Sequence, residues 1–166
     1  MEIMGLVIFL VIAWLVLSVF FSLNNKLPAR VNIILFLIIQ IVHINFYTIF
    51  SFTLEWFTAS RSPVGFITDI VFRDSILPGL LLLFINLFYS TKRAGNRIVI
   101  ALVIWLLLVV MGHSLFDFGF EHKNHWSIFY LGLFCLGMMA FSILIKVLLM
   151  KIYLKEKNRY DDPSPL

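Results

Sequence analysis

Histidines, carboxylates and one arginine recur at helical spacing in this sequence, and these are the groups that exchange protons or bind cations and metal ions. In its second apolar segment Gln40, His43, Tyr47 and Ser51 follow one another at steps of three, four and four, which puts them on one helical face. His43 lies about 18 Å along that helix from Val31, close to the middle of a bilayer. An imidazole there serves as a proton relay or ligand contact; its plainer role is a neutral side chain hydrogen-bonded to a neighbour. Asp69 and Arg73 stand four residues apart with Asp74 adjacent, so they can pair with one another at the membrane edge or contribute charge to a binding site. His113, Asp117 and Glu121 recur every fourth residue, with His122, His125 and Trp126 soon after. Imidazole and carboxylate are zinc ligands, and four-residue spacing lets two of them share a helix face. The order is not His-Glu-x-x-His, however, and Gly119 interrupts the helix before Glu121. A wet loop with an interfacial tryptophan and no metal is the expectation.

The elements that must position these groups are set by composition. Of 166 residues, 61% are hydrophobic and 13% charged, about half the roughly 25% charged content of soluble domains. Mean hydropathy is +1.01. Nine acids and thirteen bases are too few to clothe apolar runs of this length in water, so the expected solvent is lipid. A hydrocarbon core of about 30 Å takes roughly 20 helical residues. Residues 3–23, 31–52, 98–116 and 128–150 qualify directly. The apolar run from Ile76 to Tyr89 covers only about 21 Å; drawn backward to residue 68, through Asp69, Arg73 and Asp74, it reaches far enough, with Pro78-Gly79 placed to kink it. The predicted fold class is therefore all-α, one domain over residues 1–154 with five transmembrane helices, followed by a charged, disorder-like tail at 155–166. No cleavable signal segment is expected at the start.

Lysine and arginine mark the orientation. Lys26 and Arg30 follow the first span, Lys92, Arg93 and Arg97 the third, and Lys151, Lys155, Lys157 and Arg159 the fifth. The other connections carry Arg61, an acid-flanked Arg73, and Lys123 among acids and histidines. This alternation predicts an outside N-terminus and a cytoplasmic C-terminus, and it assigns the net charge of +4 to topology instead of nucleic acid. Lys146 falls about 27 Å along the last helix from Ile128, where it can snorkel to the headgroups. Gly132, Cys135, Met139 and Ser142 form a narrow seam suited to close helix packing.

The stretch Asp74-Ser75-Ile76-Leu77-Pro78, followed by Phe84-Ile85-Asn86-Leu87-Phe88-Tyr89 and a basic turn, with Trp126 before the last span, resembles a pattern in small multi-spanning membrane proteins of spore-forming bacteria. Ser90 stands where that pattern has a proline. The resemblance implies a polytopic protein of a bacterial plasma membrane and carries no activity with it. Nucleotide-binding, dinucleotide, hydrolase-elbow and paired-cysteine motifs are absent from the sequence, so no cofactor is expected. The leading expectation is a non-enzymatic accessory or interaction subunit whose partners are the bilayer, a second copy or another membrane protein. The alternatives are a small oligomeric transporter or channel with a polar pocket at the outer face, lined by His43, Asp69, Arg73, Asp74 and His113, and a membrane-embedded enzyme using His113 and Asp117.

Overall fold

In a computed structural model, residues 2–23, 27–60, 62–123, 125 and 127–161 are described. The apolar runs become helices because nothing within them breaks an intrahelical hydrogen-bond ladder: α1 (Glu2–Ser22), α2 (Ala29–Thr48), α5 (Ala94–Asp117) and α6 (Ile128–Asp161). The third run gains its length as the charge-bearing extension requires. α3 (Pro63–Val71) starts on a Ser62 cap, whose Oγ accepts from the Gly65 N–H at 3.0 Å. It continues through a wide turn, Phe72–Ile76, into α4 (Leu77–Ser90). Pro78 explains the widening: its ring has no N–H to give and presses on the carbonyl four residues back. The turn opens so that the Leu77 N–H donates to the Phe72 carbonyl, five residues back. Five stretches are thus long and apolar enough to cross a membrane, namely Glu2–Ser22, Ala29–Thr53, Pro63–Ser90, Ala94–Asp117 and Ile128–Asn158.

α4 is the axis of the bundle. Leu77 to Asn86 are buried without interruption, and α1, α2, α5 and α6 all pack on it. A helix apolar on every side asks for this central position. The surrounding helices turn one face inward, such as Phe9, Ala13 and Val16 of α1, and leave large apolar side chains on the outside; Phe21 is 78% exposed and Phe52 73%. Gly79 lets α1 approach closely, since a Cβ there would lie 2.7 Å from Val16 Cγ1. Near the opposite end, Asn86 Nδ2 donates to Asn32 Oδ1 at 3.0 Å and ties α4 to α2.

The fold is all-helical as expected, with two features the sequence reading lacks. The connections α2–α3 and α5–α6 meet at one end of the bundle as an antiparallel pair of short strands, β1 (Phe57–Ala59) and β2 (Glu121–Lys123), with Ala59 opposite Glu121. They form a cap. α6 also runs on to Asp161, through a segment expected to be disordered, because Lys155-Glu156-Lys157-Asn158-Arg159 contains good helix formers and no breaker. Lys26, Arg61, Trp126 and residues 162–166 lie outside the described residues.

Candidate functional site

The sequence-predicted groups separate into three places: the cavity, the Arg73–Asp74 pair and the His113–Asp117 pair. His43, on the inward face of α2, and Asp69, on α3, line one cavity of about 50 Å³ just beneath the cap. Tyr47 lines it too, one turn after His43, and so does Glu121 from β2. His43 is 5% exposed, Asp69 2% and Glu121 5%, so three ionisable side chains from three elements are held inside the protein. The remaining wall is apolar: Phe50, Phe57, Phe72, Phe116 and Phe134 stand among its residues. The His43 ring lies 5.8 Å from that of Phe134, and the Tyr47 ring 5.2 Å from that of Phe57.

Glu121 enters by strand alternation. Gly119, with φ +78°, supplies a left-handed turn that ends α5, and the chain then extends. Successive side chains point to opposite sides. Phe120 goes toward α1, fully buried, with its ring 6.2 Å from that of Phe9 and over Gly5, where a Cβ would lie 2.6 Å from it. Glu121 goes toward the cavity. The Phe120 carbonyl accepts from the Ser60 N–H at 2.8 Å, and the Trp56 carbonyl from the His125 N–H at 3.0 Å, which fastens the strand in place. The His113, Asp117, Glu121 row is thus interrupted at Gly119, where the sequence predicts the helix to end. His113 and Asp117 keep their four-residue partnership at 3.8 Å on the outside of α5, with Asp117 63% exposed, while Glu121 turns inward. Among the described residues no three histidine, cysteine or acidic side chains gather in a metal-binding group.

The charged turn is also rearranged. Arg73 pairs with its neighbour Asp74, Nε to Oδ1 at 3.0 Å, and not with Asp69. Arg73 stands within the wide turn Phe72–Ile76, whereas Asp69 belongs to the regular helix before it. The guanidinium of Arg73 sits 5.4 Å from the Tyr47 ring centre. Asp69 is left in the cavity, and its Oδ1, the Tyr47 hydroxyl and His43 Nδ1 have no partner at hydrogen-bonding geometry although the Glu121 carboxyl stands beside the first two. Burial, and after it the charge of Asp69, hold the Glu121 carboxyl well above its ordinary value of 4.5. Two carboxyls this close do not both ionise readily in an apolar wall.

Other predicted groups find packing roles. Lys146 places Nζ 3.2 Å from the centre of the Tyr89 ring, a cation–π contact. Cys135, Met139 and Ser142 of the α6 seam are buried within the bundle, and the Gly132 carbonyl accepts from Trp105 Nε1 of α5 at 2.9 Å. The seam is used inside the chain. Gln40, at the head of the polar stripe, is half-buried and is not among the cavity's lining residues. What the sequence reading missed is Glu121 as a buried group; the alternation Phe120, Glu121 directly after a glycine was its available signal. Comparison with protein-family models, curated proteins and solved structures gives no match to this chain.

Proposed function

We propose that this chain is a multi-pass membrane protein that binds and releases a proton at the Asp69–Glu121 pair, with the capped end outside and the C-terminus in the cytoplasm. The observation that carries this reading is the convergence of Asp69, Glu121, Tyr47 and His43 on one small cavity. A volume of about 50 Å³ gives room for a few waters, each needing about 10 to 15 Å³, and none for an organic substrate. Two carboxyls, a phenol and an imidazole in an aromatic wall also fall short of the six to eight oxygens a calcium ion takes. Proton transfer between carboxyl, phenol, imidazole and water is the chemistry these groups share. We read the protein as nearer a small ion-coupled transporter or channel than an interaction subunit, since the small-residue seam that would favour the latter is occupied within the bundle. An enzyme built on His113 and Asp117 has only a two-residue pair, half-buried at His113 and exposed at Asp117, to work with.

Lipid as solvent explains the large exposed apolar side chains, and the basic residues Arg30, Lys92, Arg93, Lys151 and Lys155 lie at the end remote from the cap. Infrared spectroscopy on the protein in vesicles tests the proton site. A carboxylic-acid C=O band is expected near neutral pH that disappears in Glu121→Gln, while vesicles carrying a pH-sensitive dye should show proton uptake slowed in Asp69→Asn. An unchanged band in Glu121→Gln would remove the proposal.

A further inference from the structure

At the basic end, far from the carboxyl cavity, α4, α5 and α6 leave a groove of about 550 Å³ lined by Phe88, Arg97, Ile98, Ala101, Trp105 and Met139, among others. Along α5 it extends from Ala94 to Trp105, about 16 Å, which is one leaflet of a hydrocarbon core of about 30 Å. Its walls are almost wholly apolar, and its charged residue stands at the mouth. Arg97 is fixed there: Nε donates to the Thr91 carbonyl at 2.8 Å, and the guanidinium carbon lies 5.4 Å from the Phe88 ring centre. Its two terminal nitrogens make no further hydrogen bond or ion pair among the described residues. On the next ring, 5.5 Å away, Lys146 covers Tyr89. Lys92 and Arg93 are exposed beside it. The sequence holds no acid between Asp74 and Asp117, nor between Glu121 and Glu156, and among the described residues no carboxylate pairs with Arg97 or Lys146.

We propose that this groove binds an anionic phospholipid, its phosphate on Arg97 and one acyl chain laid along α5 toward Trp105. A guanidinium with a planar pair of free donors suits a phosphate, and the neighbouring cations favour a headgroup with net negative charge. Free phosphate shares the first of these features, but the leaflet-long apolar wall beneath Arg97 suits only a ligand with a chain. The inference takes the membrane reading as given and is independent of the proton site.

Trp105 reports on the groove from inside it, since its Nε1–H is anchored on the Gly132 carbonyl at 2.9 Å. In a chain carrying Trp14→Phe, Trp56→Phe and Trp126→Phe, phosphatidylglycerol with brominated acyl chains should quench Trp105 more strongly than equally brominated phosphatidylcholine at the same mole fraction in mixed vesicles. Arg97→Gln should reduce that preference about fivefold, the share of one basic residue at an anionic surface. Equal quenching by the two lipids, or a preference that survives Arg97→Gln, overturns the proposal; so does loss of the preference on adding inorganic phosphate, which would mean that the site reads phosphate alone. Native mass spectrometry of the otherwise unaltered chain and its Arg97→Gln form, counting phosphatidylglycerol retained from a mixture with phosphatidylcholine, decides the matter should the three-tryptophan variant not fold. A chain that fails to float with vesicles would remove the membrane reading and the lipid site together, whereas one that floats without discriminating removes the lipid site alone.

Discussion

Glu121 is a buried carboxyl outside the helical spans, and its burial makes stability depend on pH. Its carboxyl is shifted upward by burial and by Asp69, and it is faced by Asp69 from α3, by Tyr47 and His43 from α2, and by the Arg73–Asp74 pair beyond them. The folded chain therefore keeps a proton that the unfolded chain gives up above about 4.5. Folded protein binds more protons over that interval, so stability is full below 4.5 and declines as pH rises toward the folded value, by at most about 1.4 kcal/mol per pH unit. Thermal unfolding in detergent should show this decline, and Glu121→Gln should flatten it. A second expectation concerns Arg73. With Arg73 and Asp74 side chains 19% and 27% exposed, their pair falls between exposed and buried limits. A double-mutant cycle with Arg73→Gln and Asp74→Asn should give a coupling of about 1 to 3 kcal/mol, and one with Asp69→Asn and Arg73→Gln less than about 1. The reverse ranking would restore the regular-helix pairing. Spacing alone pointed to His43, Asp69 and Arg73 because helical periodicity carries that information. Glu121 was not legible because its burial comes from a long-range strand pairing, which local spacing does not encode.

At the scale of elements, the cap is held where Phe120 rests on Gly5. Gly5→Ala should push that ring away and cost about 1 to 3 kcal/mol, since buried overpacking has that range. Gly95, in the first turn of α5, has nothing within 4 Å of an added Cβ; Gly95→Ala should leave stability unchanged or raise it by up to about 1 kcal/mol. Measured side by side, the two substitutions separate loss of cap docking from a general effect of replacing glycine. Equal effects would mean that Phe120 does not seat on α1. The five apolar elements were legible from run length alone, including the need of the third run to borrow its charged extension. The wide turn before Pro78 was legible only as a kink, because proline fixes where a helix is disturbed and the neighbours decide how the disturbance is absorbed.

The whole molecule makes a topological prediction. A reporter fused after Lys157 should read cytoplasmic, and one inserted beside Ser62, which caps α3, should read external. The opposite pattern at both sites would invert the assigned faces and place the carboxyl cavity inward. That the connections α2–α3 and α5–α6 lie at one end follows from alternating helices, but their joining into a single cap depends on residues more than sixty positions apart. No count of charges or apolar runs foretells such a contact.

The central position of α4 has a consequence for how the chain is made. Its span is 67% buried in the finished bundle, against 22% for the first and second spans, yet a chain emerging in order must place it before α5 and α6 exist. During synthesis Asn86 can already meet Asn32, whereas Asp69 must wait for Glu121, still more than fifty residues away. A nascent chain arrested just after Ser90 should therefore hold its third span loosely at the translocation channel, with the acidic turn still wet. Retention should end as α5 and the following strand arrive. Crosslinks from Asp69 to the insertion machinery, followed against chain length, would time that release.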